Sequence, residues 1–186
     1  APSLSGAYVY EDVSFSQLWQ TWTGARAWAS GALQRPPRSL TVLVWHAVGV
    51  PTGYAPAWQR GASLGLHLVT AILLWGLASR LGLGLVGATV ATGVFLLHPI
   101  QIEAVASVAY RSEILIGLSV LLALHAVERG RWGLAWLGAV AAYVAKEAGL
   151  VAFALVPLWA VALKQHFSGR TLAIALLAIC RWKGWI

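Results

Sequence analysis

From residue 62 onward the chain is a series of apolar runs separated by short polar breaks. Between Gly61 and Tyr110 the only charged residues are Arg80 and Glu103. The runs lie at 62–79, 83–97, 113–127, 132–145, 150–163 and 171–186, and His98-Pro99 stops the second. Such runs predict membrane-crossing helices, several of them shorter than the ~20 residues of an average span. The short connections predict antiparallel neighbours in a tight stack. The expected fold is therefore all-α, a polytopic transmembrane helical bundle of about six spans over residues 62–186.

Residues 1–61 break this pattern and predict an extracytoplasmic or interfacial loop region. Pro2, Pro36, Pro37, Pro51 and Pro56 interrupt it, and no run there is long enough to span. The apolar stretch 39–50, with Trp45 and His46, predicts a short amphipathic helix lying in the interface. Trp19, Trp22, Trp28, Trp45 and Trp58 suit the headgroup level.

Composition sharpens the class. The chain of 186 residues has 13 basic and 6 acidic side chains, 59% hydrophobic residues and 10% charged ones. Mean hydropathy is +0.73. An average soluble domain is roughly a quarter charged, so a soluble enzyme and a disordered chain are excluded. A single cysteine, Cys180, excludes a disulfide scaffold. There is no methionine, and a further segment upstream is expected. The net charge of +7 invites a nucleic-acid partner. The cations are scattered at the ends of apolar runs, which is how membrane proteins place them, and no nucleic-acid partner is expected.

Charge also orients the bundle. Alternate breaks hold Arg80, then Arg129 and Arg131, then Lys164 and Arg170, with Glu128 the one acid among them. The opposite breaks hold Arg111 and Lys146 with Glu103, Glu113 and Glu147. The positive-inside rule puts the first set in the cytoplasm. Residues 1–61 then lie on the non-cytoplasmic side. That face would gather Glu11, Asp12, Arg35, Arg38, His98, Glu103, Arg111, Glu113, Lys146 and Glu147. Ionisable groups near membrane depth are costly and usually pair or work. Carboxylates there suit general-base chemistry. The cations suit a phosphate, arginine through its bidentate fork.

Plain structural roles compete at each position. Glu11 and Asp12 also read as a solvated loop pair. The string from His98 to Glu103 also reads as a helix stop followed by a first turn, with an acid placed to suit its dipole. Arg111 with Glu113, and Lys146 with Glu147, also read as interfacial charge pairs.

An ordered set of strings resembles a family. HPIQIEAVA from His98, RSEIL from Arg111 and AKE ending at Glu147 resemble the multispanning glycosyltransferases of the GT-C class. The likeness is nearest to the TMTC-type protein O-mannosyltransferases and their bacterial relatives with tetratricopeptide repeats. YVYED ending at Asp12 resembles the family's acidic pair in its first external loop. RPPRSLT from Arg35 resembles its Arg-Pro-Leu-Thr string, and Gly53-Tyr54 followed by Leu66-His67-Leu68 resembles its Gly-Tyr-His…Leu-His segment. The likeness covers about Tyr8 to Pro157.

The resemblance implies that Glu11 or Asp12 is the catalytic carboxylate. It would deprotonate an acceptor hydroxyl, which displaces a polyprenyl phosphate from the sugar. It implies a substrate-binding set among Arg35, Arg38, His98, Glu103, Arg111, Glu113, Lys146 and Glu147, with Arg111 and Lys146 as phosphate ligands. The expected location is a bacterial inner membrane. Two departures stand out: Glu11 where the family has an aspartate first, and Gln101 where it has a second histidine.

These departures and the short length motivate a function of another class. The chain would then be a non-catalytic accessory subunit of a larger respiratory or photosynthetic membrane complex. Its expected partners are membrane lipids and other transmembrane subunits. No cofactor is expected beyond a lipid-phosphate sugar donor, and no metal. His67 and His125 lie within apolar runs, where a neutral imidazole can ligate haem iron or chlorophyll magnesium. No bis-histidine spacing accompanies them, and they read as hydrogen-bonded between helices.

Overall fold

A computed structural model describes residues 38–163. Apart from short turns these residues are helical, with no strand among them. The helices are α1 (Ser39–Thr52), α2 (Pro56–Ala78), α3 (Gly84–Leu97), α4 (Gln101–Ala106), α5 (Arg111–Glu128), α6 (Trp132–Ala145) and α7 (Ala152–Ala162). Short turns of tighter helix precede α5 at Val108–Tyr110 and α7 at Glu147–Val151.

Two helical segments are long and apolar enough to cross a membrane, Pro56–Leu97 with mean hydropathy 1.7 and Val108–Glu128 with 1.4. The first is not straight. Gly82 (φ 82°) and Gly84 (φ 66°) take left-handed backbone that side-chain-bearing residues resist, and the chain reverses there. His67 and Phe95 consequently stack with ring centroids 4.8 Å apart. Along a straight helix they would be about 42 Å apart. α2 and α3 thus form an antiparallel hairpin, with α2 of 23 residues about 34 Å long.

α2 begins at Pro56, six residues before the apolar run that predicts it. Proline suits the first helical turn, where its missing N–H has no partner to lose. Gln59 and Arg60, polar in sequence and read as loop, are buried on the inner face of this helix.

The core lies between α5, α6 and α7. Ala123, Val127, Ala135, Ala139, Ala142, Val156 and Ala160 are wholly or almost wholly buried there, with Phe153 packed on Trp136 at 5.9 Å between ring centroids. Alanines at 135, 139, 142 and 145 line one side of α6 and let the backbone of α5 approach closely, as small residues do in membrane bundles. Polarity is distributed as membrane burial requires. Gln59, Arg60, Ser63, His67, Thr70, Arg111 and His125 point inward, while Ile72, Val86, Leu137 and Leu158 face out. Inward polar groups and outward aliphatics are stable in lipid and costly in water.

α1 lies across one end of the bundle. Thr41 Oγ1 donates to the Ala145 carbonyl at 2.8 Å, satisfying a terminal oxygen of α6. Gln59 Nε2 donates to the Trp45 carbonyl at 3.1 Å, tying α1 to α2. α1 ends at Gly53 (φ 61°), followed by Tyr54 in the same left-handed region (φ 59°). The Tyr54 ring then folds back over α1, with its hydroxyl 2.7 Å from His46 Nδ1.

Candidate functional site

The end of the bundle that carries α1 gathers the charged residues from separate breaks. At Lys146 the chain turns extended and closes α6. The tight turn that follows is held by the Gly149 N–H donating to the Lys146 carbonyl at 2.8 Å. A Cβ on Gly149 would lie 1.9 Å from the Ala142 carbonyl oxygen, so this turn packs on α6 only because the residue is glycine. The result is two ion pairs in a row. Lys146 Nζ donates to Glu113 Oε1 from the first turn of α5. Arg38 Nη2 lies 3.8 Å from Glu147 Oε1. All four side chains are partly exposed.

Arg111 is adjacent in sequence but turned inward, with 0% of the residue exposed. Its Nε donates to Ser63 Oγ at 3.0 Å and its Nη2 to the Gln59 carbonyl at 2.6 Å. It fastens α5 to α2 and does not meet the solvent-accessible face.

His98 leaves α3 in extended conformation (ψ 129°), as the proline that follows it demands. The Ile100 N–H donates to its Nδ1 at 3.2 Å, and the Gln101 N–H donates to its carbonyl at 2.9 Å. His98 therefore shapes the entry into α4. Glu103 sits exposed in the first turn of α4, where a carboxylate suits the helix dipole.

Beside His98 is a cavity of about 420 Å³ between α2, α3 and α4. Arg60, His67, His98 and Gln101 supply its polar groups, and Leu64, Leu96 and Ile102 are among its apolar walls. Arg60 Nε donates to the Ala106 carbonyl at 3.1 Å, closing α2 against α4. His67 is buried and bonded to the Leu96 backbone, and its Nε2 has no hydrogen-bond partner among the described residues. No carboxylate among the described residues lines the cavity. A guanidinium and two imidazoles on apolar walls suit an anionic head carried on an apolar chain.

The sequence pattern does not single out Arg60 as a site residue, and in it His67 reads as an interhelical bond. A signal was present: residues 60, 64 and 67 recur at helical spacing, which puts them on one face once the helix starts at Pro56. Glu11, Asp12 and Arg35 lie outside the described residues.

The opposite end holds the other set of cations. Arg80 Nη1 donates to Glu128 Oε2 at 2.9 Å. His125 Nε2 donates to the Leu73 carbonyl at 2.9 Å, and its Nδ1 lies 3.2 Å from the same Glu128 oxygen. Arg129 and Arg131 flank this cluster. Lys164 and Arg170 are outside the described residues. Comparison with known proteins yields no family model, no curated protein and no solved structure that matches this chain.

Proposed function

We propose that the chain is a GT-C-like integral membrane protein that handles a polyprenyl-phosphate-linked sugar at the end of the bundle carrying α1. One observation carries this reading. A cavity with Arg60, His67 and His98, lined by no carboxylate among the described residues, opens at the end where Arg38, Glu113, Lys146 and Glu147 converge from three breaks. Its apolar walls match a polyprenyl chain, and its cationic and imidazole groups match a phosphate. Lys146 and Arg60 are the phosphate ligands in this scheme, and Arg111 positions α5. Glu11 or Asp12 is the base that takes the acceptor proton while the C–O bond to the phosphate breaks.

In the same scheme α2, α3, α5, α6 and α7 are spans, a sixth follows from residue 171, and the α1 end is non-cytoplasmic, in a bacterial inner membrane. The test is transfer of sugar from polyprenyl-phosphate donors by the membrane-embedded chain and by its Glu11→Gln and Asp12→Asn variants. Loss of turnover in one of them supports the scheme, and unchanged turnover in both removes the proposed base.

A second reading, an accessory subunit, is favoured by α3. Only Ala88 and Thr92 of that helix are buried, while Val86, Val90, Val94 and Leu97 stand exposed along it. Such a face suits a partner helix. Purification in mild detergent distinguishes the two: a stoichiometric partner with no transfer activity favours the subunit, and an active monomer favours the enzyme.

A further inference from the structure

A cavity larger than the one beside His98 lies away from the proposed sugar site. It is a cleft of about 530 Å³ at the opposite end, between α2, α5 and α6. Arg80, Arg129 and Arg131 line it. Glu128 is the nearby carboxylate, and it is occupied by Arg80 and His125 within the protein. Arg129 Nη1 makes a long bond of 3.4 Å to the His125 carbonyl. Among the described residues, three guanidinium groups therefore stand against one carboxylate, which makes the mouth of the cleft electropositive.

From that mouth the cleft runs toward the middle of the bundle. Its far lining residues are Ile72 on α2 and Ala141 on α6. By helix rise these lie about 12 Å from Arg80 and about 15 Å from Arg131. One leaflet of hydrocarbon is about 15 Å deep, half of the ~30 Å core. Leu122, Leu134 and Leu137 line the wall between, and all three are exposed. A cationic mouth above an apolar groove one leaflet deep has the shape of a phospholipid's negative. Charge complementarity and depth together select the occupant.

We infer that this cleft holds one anionic phospholipid of the leaflet facing Arg80, Arg129 and Arg131. Its phosphate lies against the three arginines and one acyl chain fills the groove along Leu122 and Leu137. Nothing in this depends on sugar chemistry at the other end.

The experiment is native mass spectrometry of the whole chain released from nanodiscs. One set contains phosphatidylcholine alone, and the other contains equal phosphatidylcholine and phosphatidylglycerol. One phosphatidylglycerol per chain is the expected retained adduct. The Arg129→Gln/Arg131→Gln double variant is expected to bind it about thirtyfold more weakly, from two lost arginine–lipid contacts near the surface. Leu137→Trp, which blocks the groove and keeps every arginine, is expected to lose the adduct too. Thermal melting without phosphatidylglycerol checks that both variants fold. Equal retention of the two lipids, unchanged retention by the double variant, or competition by inorganic phosphate alone at millimolar concentration each overturns the inference. So does a stoichiometric protein seated in the cleft in place of lipid.

Discussion

Arg111 Nε donates to Ser63 Oγ at 3.0 Å, joining the first turn of α5 to the second turn of α2 inside the bundle. The guanidinium also reaches the Gln59 carbonyl, so one side chain bonds two groups a helical turn apart. Its planar fork is suited to this and a lysine ammonium is not. Arg111→Lys is expected to destabilise the protein by about 2 kcal/mol, the scale of a buried charged hydrogen bond. Ser63→Ala should cost about 1 kcal/mol, and the pair together should cost less than the sum because they share a contact. Thermal unfolding in detergent reads all three. An Arg111→Lys protein as stable as the parent removes the anchoring role.

Gly149 carries the turn that presents Lys146 and Glu147. A Cβ there meets the Ala142 carbonyl oxygen at 1.9 Å, and a backbone atom cannot rotate away. Gly149→Ala is expected to lower stability by about 1–3 kcal/mol, as overpacking does. Gly133, near the start of α6, has open space around the same added atom. Gly133→Ala should be neutral or gain about 0.5–1 kcal/mol from helix propensity. The contrast is measured as two melting temperatures in the same detergent.

Burial holds the His46 imidazole below its ordinary value of 6.5. The folded state therefore prefers the neutral ring, which Tyr54 contacts through its hydroxyl. The stability His46 contributes is fully present above about pH 6.5, the unfolded value, and is lost as pH falls through the lower folded value. Melting temperature should drop on acidification from pH 7.5 to 5.5, and His46→Gln should flatten that part of the profile. A slope unchanged by His46→Gln assigns the effect to other groups.

Lys146 and Glu113 are both partly exposed, so their pair contributes little stability, on the order of 0–1 kcal/mol. Lys146→Gln should melt close to the parent while weakening binding of a polyprenyl-phosphate sugar. On the proposed function, the charge swap Lys146→Glu with Glu113→Lys should restore the pair and leave donor binding weak, because a carboxylate then occupies the proposed phosphate-binding position. Donor binding restored by the swap would make Lys146 structural.

The helices α5 and α6 could be read from the chain because charge brackets their apolar runs. Arg111 and Glu113 open one, Glu128 to Arg131 separates the two, and Lys146 closes the other. Three things were not legible. Gln59 and Arg60 look like loop residues in a one-dimensional pattern, since polarity does not say which way a side chain points in a helix that hides polar groups inside. For the same reason Arg111 reads as a surface ligand although it is buried. The hairpin between α2 and α3 was signalled by the break at Arg80-Leu81-Gly82, where glycine allows the reversal. The cavity beside His98 was not, because it depends on α4 lying against α2 through the Arg60 bond to Ala106.

The Thr41–Ala145 bond joins residues 104 positions apart. Closing a loop of that length costs chain entropy, a cost that grows slowly with loop length. The bond ties the first described helix to the end of α6, and the rim where Arg38 meets Glu147 lies at the same junction. Any ligand that bridges the two sides of that rim holds the chain closed by mass action. Occupancy at this end would be felt along the whole fold as resistance to unfolding.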